Sequence, residues 1–64
     1  MLQLLLKADC IVFKNLDYEM MNHLQDFYKL DFIIENDVYS VAGEPNYLYK
    51  LLYKLTMNYE IELN

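Results

Sequence analysis

Residues 2–14, LQLLLKADCIVFK, can be read in two ways, and the fold depends on which is correct. Leu2, Leu4 and Leu6 alternate with Gln3 and Leu5 at the period of two that a strand imposes on its side chains. The same even-numbered parity runs on through Ala8, Cys10 and Val12. On one reading this is a single long, bent strand with all six residues inward. On the other the chain turns at Lys7-Ala8-Asp9 into a short hairpin. Periodicity leaves both open.

Downstream the spacing is less ambiguous. From Asn15 to Leu30 it becomes helical: Asn15 is a plausible N-cap, and Asp17 and Glu19 fall in the first turn, where the helix dipole favours anions. At about 100° per residue, Leu16, Met20, Leu24 and Phe27 share the face expected to be buried, flanked by Met21 and Tyr28. Residues 31–42, DFIIENDVYSVA, predict a β-hairpin turning at Asn36-Asp37, two residue types that tolerate the positive φ of a type I′ turn. That turn pairs Glu35 with Val38, Ile34 with Tyr39 and Ile33 with Ser40. Gly43-Glu44-Pro45 then opens a second helix, with proline suited to its first position, running to about Asn58. Tyr59, Ile61 and Leu63 alternate with Glu60 and Glu62 as a last strand.

The resulting order, strand, helix, strand, strand, helix, strand, predicts one α+β domain over residues 1–64. With right-handed crossovers it folds most simply as a ferredoxin-like βαββαβ sandwich: a four-stranded antiparallel sheet, its first and third strands central, with both helices on one face.

Composition restricts the function. The chain has 64 residues, 56% of them hydrophobic, with one glycine and one proline, which argues against a disordered or loop-rich scaffold. Ten carboxylates stand against five lysines, with no arginine, for a net charge of −5. Such a chain repels phosphate backbones, so direct nucleic-acid binding is not expected, and basic protein partners are favoured. The leucines of MLQLLLKADCIVF lack a preceding positive region and are interrupted by Lys7 and Asp9, unlike a signal peptide, and no apolar run is long enough to span a bilayer. A cytoplasmic protein is expected, host cytoplasm if it is viral, and its lone Cys10 suits a reducing compartment.

The parts of known chemistries are missing. There is no glycine-rich phosphate loop, no HExxH and no calcium loop, and the one histidine, His23, falls at the edge of a helix stripe. Cys10, on the inward parity of a continuous strand, reads as a small buried hydrophobe. No cofactor or metal is expected, and no enzymatic activity. Small acylphosphatases share the expected fold class, but their phosphate loop and arginine have no counterpart here.

Two surfaces are candidates for partner binding. In NYLYKLLYKL, residues 46–55, Leu48, Leu51, Leu52 and Leu55 form the inward stripe, while Tyr49, Tyr53 and Met57 make a row running out to solvent. Tyrosine is favoured at interfaces because it offers large area at low ordering entropy. The second candidate is the sheet face the helices leave uncovered, expected to show Leu5, Ile33 and Val38, with Leu5 and Val38 near its middle, ringed by Gln3, Lys7, Glu35, Ser40, Glu60 and Glu62. The carboxylates Glu35, Glu60 and Glu62, with Asp31 and Asp37, would give a basic partner an acidic strip to meet.

The expectation is therefore a small acidic module, an inhibitor or adaptor, docking on one protein partner. The lysine-only, Asn-, Ile- and Tyr-rich composition suggests an AT-rich genome. In style it resembles tiny acidic phage proteins that block host nucleic-acid enzymes, CRISPR nucleases included, by mimicry or steric block. The alternative is a regulatory ferredoxin-like domain that forms a homodimer through the open sheet face and senses a small ligand.

Overall fold

The structure, a computed structural model, describes every residue from Met1 to Asn64. Residues 2–14 form a hairpin, strand β1 (Leu2–Leu6) and strand β2 (Cys10–Lys14), antiparallel with Leu4 opposite Phe13 and Leu6 opposite Ile11. The Lys7 N–H donates to the Cys10 carbonyl at 2.8 Å, closing the turn around Ala8-Asp9. A turn of two residues pairs even positions with odd ones, so the inward set changes parity from Leu2 and Leu4 on β1 to Ile11 and Phe13 on β2, all four buried. Val12 and Cys10, expected inward, lie on the other face and are only half-buried.

The chain continues through helix α1 (Tyr18–Tyr28), strands β3 (Ile33–Glu35) and β4 (Val38–Ala42), helix α2 (Pro45–Asn58) and strand β5 (Ile61–Leu63). The protein is α+β, but the sheet has five strands in the order β3-β4-β2-β1-β5 rather than four. It is also mixed: β1 and β5 are parallel, with Leu2 opposite Ile61 and Leu4 opposite Leu63, and the other three pairings are antiparallel. The β1 strand stands between β2 and β5, so the connection through α2 passes over two strands. The expectation of four antiparallel strands fails because that order counts residues 2–14 as one strand.

Helix α1 begins two residues later than expected. Asp17, not Asn15, is the N-cap, its Oδ1 accepting from the Met20 N–H at 2.7 Å, a bond worth about 1 kcal/mol of helix stability. Asn15 instead adopts a left-handed φ of 61° and its side chain donates to the Met1 carbonyl at 3.3 Å, fastening the chain start to the end of β2. The buried face of α1 is also rotated from the expected one. Met21 and Leu24 are buried and Tyr28 half-buried, while Phe27 is 66% exposed. The second hairpin matches its sequence: Asn36 and Asp37 both have positive φ, and Ile33, Ile34 and Glu35 face Ser40, Tyr39 and Val38.

Twelve apolar residues and no polar one make the core. They come from the parity just described (Leu2, Leu4, Ile11, Phe13 and Val41) and from both helices, including Leu24, Leu48, Leu51 and Leu55, in one cluster. Both helices therefore cover the same face. At about 2 kcal/mol for each fully buried leucine, the α2 stripe is a main source of stability. Gly43 leaves room for the first turn of α2 to fold back on the chain, since a Cβ there would stand 2.6 Å from Cδ2 of Tyr47. No helix is long and apolar enough to cross a membrane.

Candidate functional site

On α2 the sequence-predicted row points outward. Tyr49, Tyr53 and Met57 are 60%, 66% and 67% exposed, spaced four apart along the side of the helix away from Leu48, Leu51 and Leu55. Lys50 and Lys54 are exposed beside them. Three large apolar groups stay in water, where burial of each would stabilise a complex by about 1.5–3 kcal/mol before ordering costs.

The opposite face of the molecule carries the other candidate. Across the sheet Leu5 lies opposite Val12, Val12 opposite Ser40, and Ser40 opposite Ile33, an unbroken line over four strands with no helix above it. Ile33 and Val38 are each 45% exposed, while Leu5 is half-buried. Leu5 and Val38 are not neighbours at the centre, as expected from four strands, because Val12 of β2 stands between β1 and β4. Cys10 and Val12 belong to this surface and were missed, a direct consequence of the parity change at Ala8-Asp9. Two open concavities of about 660 and 480 Å³ lie here, sharing Lys7, Val12 and Val38.

The acidic residues do not form one strip. Glu35 is on β3 and Glu62 on β5, the two outer strands, about 19 Å apart at the usual spacing of four steps. Glu62 accepts from Gln3 Nε2 at 3.0 Å, and Glu60 is exposed just before β5. The row on α2 and the Leu5, Ile33 and Val38 surface point to opposite sides, so one flat partner cannot cover both.

A third feature was not expected from the sequence. His23, Phe27, Tyr28 and Tyr59 form a ring cluster where α1 meets the end of α2: His23 stacks on Phe27 at 5.9 Å, and Tyr28 meets Phe27 edge-on at 4.8 Å and Tyr59 at 6.3 Å. His23 Nε2 and the Tyr59 hydroxyl are 3.0 Å apart, and Asn58 Nδ2 donates to the Tyr28 hydroxyl at 3.1 Å. Burial first, then the adjacent Tyr28 hydroxyl, hold the Tyr59 phenol above its ordinary pKa. The spacing of His23 and Phe27, four apart on a helix, was the available signal.

The two side chains with nucleophile and base chemistry lie apart. Cys10 lies on the uncovered sheet face and His23 on the helical side, so they cannot act as a nucleophile and base. No three His, Cys, Asp or Glu side chains gather as metal ligands. No protein-family model, curated protein or solved structure matches this chain.

Proposed function

We propose that the protein is a non-catalytic binding module, an inhibitor or adaptor, that docks on one protein partner through α2. The observation that carries this reading is the row Tyr49, Tyr53 and Met57, each at least 60% exposed on a helix whose other side is core. A net charge of −5 favours a partner with basic ground elsewhere on its surface. Inhibition of a nucleic-acid enzyme, in the manner of phage proteins that block CRISPR nucleases, is a form of this reading. There the acidic edges at Glu35 and Glu62 would serve mimicry, and the α2 row a steric block. The frame from β2 to β5 reads as ferredoxin-like order with β1 inserted beside its last strand.

A partner captured by the immobilised protein tests the reading. Tyr49→Ala with Tyr53→Ala should weaken capture at least tenfold while the circular dichroism spectrum and melting temperature stay close to wild type. Equal capture by the double variant refutes docking through the row.

One observation favours a second reading, a ligand-sensing homodimer. The uncovered face carries Lys7 and Lys14 together with Glu35 and Glu62, charges of both signs that a two-fold interface can pair reciprocally. Light scattering after size exclusion separates the two, since a monomer at high concentration removes the dimer.

A further inference from the structure

Charge is distributed unevenly along this chain. Helix α2, from Pro45 to Asn58, carries Lys50 and Lys54 and not one acidic residue, so it is locally +2 while the remaining residues sum to −7. Between α2 and the end of α1 lies a small hollow of about 120 Å³, lined by Tyr28, Tyr47, Lys50, Leu51 and Lys54. Tyr47, Lys50 and Lys54 recur at three- and four-residue spacing, which aligns them along one flank of the helix. The Tyr28 hydroxyl accepts a hydrogen bond from Asn58 Nδ2 and stands beside the Tyr59 hydroxyl, so it is already engaged within the protein. Tyr47 is seated against Gly43, where no Cβ would fit.

We infer that this hollow takes a carboxylate: an aspartate or glutamate side chain of the segment that docks on α2. Lys50 and Lys54 line the hollow and can each bring an ammonium donor, and α2 itself holds no competing carboxylate. The hollow of about 120 Å³ is large enough for a carboxylate and its residual hydration. The Tyr53 and Met57 side chains flank Lys50 on its outer side, so the matching segment places an acid beside apolar residues. The overall negative charge does not forbid this. The molecule measures 27 × 25 × 23 Å, and charges on its far side are screened over a Debye length of about 8–10 Å. The inference rests on α2 being the docking surface, and it assigns acidic chemistry to the partner at that point, whereas net charge alone assigns basic chemistry.

The test uses blocked synthetic peptides alternating leucine with glutamate, or leucine with glutamine, and inorganic phosphate, each titrated into the isotope-labelled full chain by NMR. The glutamate peptide should shift the amides of Tyr47, Lys50 and Leu51, with affinity falling severalfold as ionic strength rises. Lys50→Gln with Lys54→Gln should weaken it about fivefold, in keeping with two exposed charge contacts, and Lys50→Arg with Lys54→Arg should retain it. Equal binding of the glutamine peptide, or indifference to loss of both lysines, overturns the proposal. So does binding of phosphate without binding of the peptide, which makes the ligand a phosphoryl group. Tyr49→Ala with Tyr53→Ala separates the two proposals. A peptide that needs the tyrosines but not the lysines upholds docking on α2 and ends the carboxylate assignment. One that needs the lysines alone does the reverse.

Discussion

Ile11 and Val12 are consecutive residues of β2 that the hairpin sends to opposite faces, and truncating each to alanine measures the parity change directly. Ile11 is fully buried opposite Leu6 and Val41, whereas Val12 is half-buried opposite Leu5 and Ser40. Ile11→Ala removes three carbons at about 0.8 kcal/mol each and leaves a cavity, for a total of about 3–4 kcal/mol. Val12→Ala removes two carbons from a site already half in water and opens no cavity, which comes to about 0.8 kcal/mol. A chain of 64 residues holds about 3–10 kcal/mol of stability in all, so the first change removes a third or more of it. At about 4–8 °C per kcal/mol for a domain of this size, the melting temperatures should fall by about 12–30 °C and about 3–6 °C respectively. Urea and thermal unfolding followed by circular dichroism, with the denaturant slope held as a check on two-state behaviour, read both. Should Ile11→Ala leave too little folded protein, Ile11→Val, at about 1 kcal/mol, replaces it. The reasoning is refuted if Val12→Ala costs as much as Ile11→Ala, the result a single continuous strand with Val12 inward would give.

Three further outcomes follow from the same geometry. Cys10, half-buried on the uncovered face, should react with a thiol reagent in the native protein within a few-fold of the rate in denaturant; strong protection would place it in the core after all. Lys29 caps α1 in a left-handed conformation, φ 58° and ψ 40°, that costs a side-chain-bearing residue about 1 kcal/mol. Lys29→Gly should therefore raise stability by about that amount in urea, and an unchanged midpoint would contradict the cap. Tyr59 has its phenol pKa raised in the folded state by burial and by Tyr28, so folding favours the protonated form. Stability is then complete below the unfolded value near 10 and declines as pH rises through the folded one. In a phenolate absorbance titration of the seven tyrosines the last component to ionise should vanish in Tyr59→Phe, and its persistence would assign the shift elsewhere.

What could be read from sequence depended on whether the signal was local. The Asn36-Asp37 turn was legible because two consecutive positive-φ residues suit few other conformations, and its register followed from the turn alone. The outward row of α2 was legible because four leucines of known spacing left Tyr49, Tyr53 and Met57 only one side to occupy. The turn at Ala8-Asp9 was not, since neither residue needs an unusual φ and no glycine or proline marks it. Six alternating positions satisfy a strand equally well straight or folded back. The exposure of Phe27 was hidden for another reason: helix periodicity gives relative angles, while the absolute rotation of α1 is set by what it packs on, here Met21 and Leu24 against the sheet.

The position of β1 in the sheet also bears on which proteins this fold can meet. Placing β1 between β2 and β5 widens the sheet by one spacing, about 4.8 Å, and α2 must cross two strands to deliver β5. The added strand sets Leu5 beside Val12, extending the row that runs through Ser40 to Ile33. Helix α2 packs on the core face, so its lysines lie on the other side of the sheet from Glu35 and Glu62 of the outer strands. Apolar groups thus stand exposed on two opposed surfaces that differ in charge, and neither can complete the other within one protomer. Occupying one surface leaves the second in water, so docking of one partner through α2 would leave the sheet face to self-association or to solvent. Substitutions at Val12 and at Tyr53 should for that reason combine additively, because no side chain bridges the two sides.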